Sequence, residues 1–143
     1  MASMDELDSY LIKMGLPYEQ VGDGTWVVRP DSARHAQIGV QIDEPIVLFS
    51  IQMFKVEPAL VNREELYRTL LELNAELLHS CYALQGDQIV LSGAQQLENL
   101  DFNEFQAVVE DMSMALDNHY DKIAPWLSQE RNATKVIGAE GST

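Results

Sequence analysis

The segment Ile46–Phe54, I-V-L-F-S-I-Q-M-F, decides the fold, because it reads as a strand that is apolar on both sides. Successive side chains of a strand point to opposite faces of a sheet. One face carries Val47, Phe49, Ile51 and Met53, and the other carries Ile46, Leu48, Ser50, Gln52 and Phe54. Helices packed on one face would leave the apolar side chains of the other face uncovered. This strand therefore predicts either cover from elsewhere in the chain or a partner.

The residues before this strand predict one helix and two further strands. Apolar residues recur at helical spacing over residues 4–14, and Gly15 and Pro17 then end the pattern. Residues 25–29 (T-W-V-V-R) follow a Gly-Asp-Gly turn and are rich in β-branched and aromatic residues. Residues 36–42 alternate between apolar and polar, which predicts a strand with one solvated face.

The residues after it predict a helix and a hairpin. A broad leucine stripe runs through residues 62–78, with Asn62 as the helix N-cap. Residues 79–84 and 88–92 then predict two strands joined by a turn at Gly86-Asp87.

The carboxy-terminal part predicts a last helix and a tail. The helix opens at Phe102 and Asn103, with Asn103 as its N-cap, and Pro125 should end it. Residues 128–143 are small and polar and predict a flexible tail after a single domain over residues 1–127.

The resulting element order, α-β-β-β-α-β-β-α, predicts an α+β fold. We expect a mostly antiparallel, five-stranded sheet with the helices on one face. The opposite face must then meet water or a partner.

The acidic composition narrows the class of partner. The chain of 143 residues carries a formal net charge of -14, which disfavours nucleic acid and anionic membrane surfaces. Such a charge favours solubility and basic partners. The amino-terminal residues show no secretory signal and no segment approaches the length of a membrane span, so we expect a cytoplasmic protein.

The spacing of the potentially catalytic side chains gives little support to an enzymatic function. The three histidines lie far apart and show no metal-ligand pattern, and no cofactor is expected. Cys81 and His79 lie two residues apart in a predicted strand, where a shared face would allow a histidine to lower a thiol pKa. No glycine-rich loop or third orienting group accompanies this pair, so a small buried cysteine is the simpler interpretation.

Three landmarks resemble a known family. They are Met14-Gly15-Leu16 at the end of the first helix, Leu70-Leu71-Glu72-Leu73-Asn74 in the second helix, and the hairpin over residues 81–91. Together with the element order, over Asp5 to Leu127, they resemble the type III secretion chaperone-like fold and, within it, the YbjN family. The resemblance implies a bacterial homodimer that holds or regulates other proteins. It supplies no catalytic residues.

Two functional hypotheses follow. The first is a non-catalytic, dimeric protein-binding module that holds an unidentified client through an apolar region at Trp26, Ile46, Leu48 and Phe54. Cover of Leu48 by the segment around Trp126 would remove the need for a dimer. The second hypothesis is a small enzyme or ligand-binding domain that uses Cys81 and His79.

Overall fold

The computed structural model of the chain describes residues 4–141, and the side chains of residues 4–127. Three helices and six strands follow one another in the order α-β-β-β-β-α-β-β-α. They are α1 (Met4–Met14), β1 (Tyr18–Gly22), β2 (Thr25–Val28), β3 (Ile38–Asp43), β4 (Ile46–Lys55), α2 (Arg63–Asn74), β5 (Cys81–Gln85), β6 (Gln88–Gln96) and α3 (Phe102–Gly141).

All strands form one antiparallel sheet in the order β1-β2-β3-β4-β6-β5. The α+β fold is therefore confirmed, but the sheet has six strands where the sequence predicts five. The strand missed by the sequence analysis is β1, whose side chains are almost all exposed. A strand with neither face buried carries no apolar alternation by which to recognise it.

The core lies between one face of the sheet and the three helices. Trp26 of β2 donates its indole N–H to Asp8 of α1 at 3.1 Å. Phe49 of β4 packs against Phe105 of α3, with 5.5 Å between the ring centroids. The leucines of α2 that face inward, Leu66, Leu70 and Leu73, belong to the same buried cluster. Burial of these side chains on one shared face holds the helices to the sheet.

A β-bulge in β4 changes the face of the sheet to which its last side chains point. The pairing with β6 runs regularly from Ile46↔Gln96 to Gln52↔Val90 and then shifts, so that Phe54 lies opposite Ile89. Met53 is the extra residue. Because one inserted residue reverses the alternation, Phe54 points into the core and is only 2% exposed. The expectation that Phe54 lies on the same face as Ile46 and Leu48 is wrong for this reason.

The helix ends differ from the sequence predictions in several places, among them the end of α2, which lies at Asn74 and not near residue 78. A capping box begins α3: Glu104 N–H donates to the Asp101 carboxylate at 2.8 Å, and Asp101 N–H donates to Glu104 at 3.1 Å. Asp101, not Asn103, is thus the N-cap. Asn62 does precede α2, but in the left-handed region (φ 61°) and without a side-chain capping bond.

Pro125 does not end α3, which continues to Gly141. The helix accommodates the proline within its length, while Trp126 next to it packs on the core and donates its indole N–H to the Asn62 carbonyl at 3.2 Å. A flexible tail over residues 128–143 remains a prediction, since the described side chains end at Leu127.

Candidate partner-binding surface

The face of the sheet opposite the helices is the main candidate surface. We call it the open face. Its residues are identified from the cross-strand pairs, because two residues directly opposite each other on neighbouring strands point to the same side of the sheet. Its central residues are Val27, Gly39, Gln41, Leu48, Ser50, Gln52, Cys81, Ala83, Val90, Ser92 and Ala94, and none of them is charged. Charged residues flank this set, since Asp43 is paired with Ile46 and Glu19 with Val27. In a chain of net charge -14, the centre of this face is therefore an uncharged surface of small, polar and apolar residues.

Ile46 and Leu48 lie at one end of the open face. Leu48 is paired with Gln41 of β3 and with Ala94 of β6, so it occupies an interior position of the sheet. Both side chains are partly exposed. The apolar segment around Trp126 packs on the core side instead, so within the described residues it does not cover Leu48.

The two other residues predicted for partner binding are part of the core. Trp26 is fully buried beneath α1, and Phe54 is turned inward by the bulge. Neither side chain is accessible to a partner. Of the four residues predicted for partner binding, only Ile46 and Leu48 therefore remain candidates.

Cys81 and His79 are not brought to one face. Cys81 is exposed on the open face opposite Ser92, which contradicts the expectation of a buried cysteine. The imidazole of His79 instead pairs with Asp111 of α3, with 3.1 Å between Nε2 and the carboxylate. Because α3 lies on the other side of the sheet, the geometry gives no support to a thiol activated by this histidine.

A buried polar cluster joins α2, β5 and α3. The Tyr82 hydroxyl and Nδ1 of His119 share a hydrogen bond of 2.9 Å, and Nε2 of His119 lies 3.6 Å from Glu76. Burial lowers the pKa of His119, with Glu76 opposing the shift, while burial and Glu76 both raise the pKa of Tyr82. These shifts keep the imidazole neutral and the phenol protonated, which suits a structural hydrogen bond. This pairing could not be predicted from the sequence, since Tyr82 and His119 are 37 positions apart.

The loop between β2 and β3 is tied to α3 by one carboxylate. Asp117 accepts hydrogen bonds from the Ser32 hydroxyl at 2.8 Å and from the main-chain N–H groups of Ala33 and Arg34 at 3.3 and 3.2 Å. The guanidinium of Arg34 lies 3.7 Å from the ring centroid of Tyr120. These contacts set the position of the loop beside the sheet.

A groove of about 480 Å³ opens next to this loop, where β4 extends beyond the start of β3. Its lining comes from the loop, from β4 and from α3, and includes Arg34, Gln37, Gln52, Met53, Leu116, Tyr120 and Leu127. The volume suits a few side chains of a bound segment. The sequence analysis missed this groove, because it depends on where the loop is held.

The described residues contain neither a membrane-spanning helix nor a metal-binding cluster. None of the helices within residues 4–141 is long and apolar enough to span a bilayer. No group of three or more histidine, cysteine, aspartate or glutamate side chains there is placed to hold a metal ion.

Comparison with known proteins places the chain in a family. The family model CesT_Tir_1 matches residues 1–129. The chain therefore belongs to the CesT_Tir_1 family, a family of type III secretion chaperones. None of the curated proteins matches the chain significantly.

Solved structures share the fold at low sequence identity. YbjN from E. coli, described as a putative transcription regulator, is 19% identical, with a TM-score of 0.61 over 84% of this chain and 92% of that chain. A chain of the heterodimeric ExoU–SpcU complex from the type III secretion system of Pseudomonas aeruginosa is 17% identical, with a TM-score of 0.59 over 84% and 96% of the two chains. A chain of the HopA1–SchA chaperone–effector complex is 13% identical, with a TM-score of 0.54 over 84% and 88%. These neighbours share the fold of the chain, and family membership supports a chaperone-like, partner-binding role.

Proposed function

We propose that this protein is a non-catalytic, homodimeric chaperone-like module that holds or regulates a client protein. Family membership supports a partner-binding role, and two of the similar structures are complexes with a second protein. The identity of the client and the cytoplasmic location stay predictions.

The uncharged centre of the open face is the observation that carries the proposal. Two copies of a chain with net charge -14 repel each other, so they associate most readily where neither copy presents charge. Protein interfaces are depleted of charged residues at their centre, as the open face is. Leu48, partly exposed in an interior position of the sheet, is the residue that a second copy would cover. A two-fold dimer would place the two copies of this face against each other.

Sedimentation of the purified chain and two variants tests the dimer. We expect the wild type to sediment at about twice its mass of 16.1 kDa and Leu48→Glu to sediment as a monomer, because the substitution puts a charge on each contacting face. Leu78→Glu is the matched control, since Leu78 is 90% exposed away from the open face and its substitution should leave the dimer intact. A wild-type monomer at micromolar concentration would contradict the dimer, and so would dissociation by Leu78→Glu alone.

Capture from the cells that make the protein tests the client. The tagged wild-type chain should enrich at least one other protein in stoichiometric amount, measured by quantitative mass spectrometry against the tag alone. No enrichment above that control would contradict the client-holding role, whatever the sedimentation shows.

A further inference from the structure

The open face carries opposite charges at its two ends. In the paired strand positions that the structure describes, its charged side chains are Glu19, Asp43 and Lys55. Asp43 lies opposite Ile46, where β4 begins, and Lys55 lies opposite Gln88, where β4 ends. Both side chains are exposed. The uncharged centre of the face therefore lies between an acidic end and a basic end.

The β-bulge in β4 places the basic side chain on this face. Regular alternation would turn Lys55 to the same side as Val47 and Phe49, which point into the core. The extra residue Met53 reverses the alternation, so that Phe54 points inward and Lys55 points to the open face. The charge at this end is thus a consequence of the bulge.

Asp43 and Lys55 lie at equal distances from one row of residues across the sheet. Ser92 of β6 is four residues from Gln96 and four from Gln88, which lie in the rows of Asp43 and Lys55. The row of Ser92 runs from β2 to β5 and consists of Val27, Gly39, Ser50, Ser92 and Cys81. Since four of these five residues are glycine, serine or cysteine, a second sheet can approach closely along this line. We call these five residues the middle row.

The charges distinguish two ways of placing a second copy on this face. Two sheets in the aligned face-to-face arrangement keep their strand directions within about 30° of each other, so a two-fold axis runs either along β4 or across it. An axis along β4 brings each end of the face to the same end of the second copy, so that Asp43 meets Asp43 and Lys55 meets Lys55. An axis across β4, along the middle row, reverses the strand direction. Asp43 then meets Lys55 of the second copy, and the symmetry forms this contact twice.

We propose that the chain dimerises through the open face about a two-fold axis that runs along the middle row, with Asp43 of each copy beside Lys55 of the other. The inference rests on the proposed function and specifies the geometry of its dimer. Of the two arrangements, only this one brings opposite charges together. Glu19, at the β1 end of the same line, faces its own counterpart, but it is paired with Arg29 at 3.5 Å and brings no uncompensated charge to the axis.

Cross-linking of the single cysteine distinguishes the two axes. Cys81 lies in the outer strand β5 at one end of the middle row, so an axis along this row sets the two thiols opposite each other across sheets about 10 Å apart. An axis along β4 would leave them roughly 24 Å apart, because β5 lies at the edge of a six-stranded sheet. We expect the short reagent bismaleimidoethane to link most of the wild-type protein into a covalent dimer, seen on a denaturing gel at about twice 16.1 kDa.

A cysteine placed elsewhere is the matched control for this cross-link. Leu78 is 90% exposed away from the open face, so Leu78→Cys in the Cys81→Ser background should dimerise without being linked. Absence of the link at Cys81 in a protein that sediments as a dimer overturns the proposal. Equal linking of the control also overturns it, because random collision would then explain the product.

Exchange of the two end charges tests the contact itself. Asp43→Lys should raise the dissociation constant of the dimer about tenfold, measured by sedimentation at one salt concentration, because two lysines then face each other at both contacts. This loss is expected although the substitution lowers the net negative charge of each copy. Asp121→Lys is the control for net charge, since this side chain is 96% exposed on α3, and it should dimerise no more weakly than the wild type.

The reciprocal variants complete the test. Lys55→Asp should also weaken the dimer, and the double variant Asp43→Lys, Lys55→Asp, which keeps the net charge of the wild type, should restore its dissociation constant. Additive losses in the double variant overturn the proposal. A wild-type monomer removes both the proposed dimer and this axis. A protein that dimerises and captures a client while failing the cross-link and the charge exchange leaves the proposed function intact and removes only this axis from it.

Discussion

His119 shows how the surroundings of one residue set its charge. His119 is 5% exposed, shares a hydrogen bond with the Tyr82 hydroxyl and lies near Glu76. Burial lowers its pKa, because the charged imidazolium loses hydration inside the protein. The neutral ring is therefore the form that the folded state stabilises.

We predict that this histidine makes stability fall in acid. Since the folded pKa lies below the unfolded value of about 6.5, its contribution is present above that pH and is lost as the pH falls toward the folded pKa. His119→Asn keeps an acceptor for Tyr82 without titrating, so the free energy of unfolding should vary less between pH 7.5 and about pH 5. Urea unfolding across this range measures it. His35→Asn, at an exposed left-handed position, is the control and should retain the wild-type slope.

Gly93 is a second residue whose identity is dictated by a neighbour. A Cβ atom at this position would lie 2.6 Å from the His79 carbonyl oxygen, which belongs to the main chain and cannot rotate away. We expect Gly93→Ala to destabilise the fold by about 1–3 kcal/mol in urea unfolding. Gly39→Ala is the matched strand control, because its Cβ would meet the rotatable Ser50 hydroxyl at 3.3 Å, and it should cost less than about 1 kcal/mol. Equal losses would show that the contact with His79 is not the cause.

The sequence predicted faces well where the period-two alternation is undisturbed. Ile46 and Leu48 were assigned correctly to the face opposite Val47 and Phe49. Phe54 was not, because Met53 and Phe54 are both apolar and nothing in the sequence marks which of them is the inserted residue. Trp26 illustrates a different limit: an aromatic residue on a strand fits an interface or a core equally well, and the contact with Asp8 of α1 decides for the core.

At the level of elements, the two outer strands of the sheet differ in how their free main-chain edges are covered. The side-chain amide of Asn74, the last residue of α2, binds the main chain of Tyr82 in β5, accepting from its N–H at 2.6 Å and donating to its C=O at 3.2 Å. These bonds occupy main-chain groups of an outer strand, which would otherwise be open to pairing with another chain. Among the described residues, β1 at the opposite end of the sheet has no comparable cover.

We predict that Asn74 both stabilises the hairpin and protects it from unwanted pairing. Asn74→Ala should lower the free energy of unfolding by about 1–3 kcal/mol and speed hydrogen exchange at the Tyr82 amide. Asn74→Asp, which keeps the acceptor for that N–H, should lose less. Unchanged exchange at Tyr82 in Asn74→Ala would contradict the assigned role.

The element order was predictable because most elements have a buried face with a clear period. The stripe of α2 and the alternation of β3 show this. The sequence could not reveal β1, which has no buried alternation, nor the continuation of α3 through Pro125, which local rules for proline disfavour. The groove also lay beyond prediction, because it depends on Asp117 meeting residues more than 80 positions earlier in the chain.

At the level of the whole molecule, the net charge of -14 affects the association of the protein with any charged partner. It opposes the approach of a second copy and favours that of a basic client segment. Salt weakens both effects, since the Debye length falls from about 30 Å at 0.01 M to about 3 Å at 1 M.

We therefore predict that dimerisation strengthens as salt rises. The dissociation constant of the dimer, measured by sedimentation at several salt concentrations, should fall, because the repulsion between like-charged copies is screened. A dissociation constant that rises with salt would contradict this account.

Asp117 has a consequence that reaches beyond the loop it holds. By holding residues 32–34 against α3, it fixes where the chain can enter β3, and β3 pairs with β4 only from Gly39 onward. A side chain of a helix thus limits how far two strands of the sheet can pair.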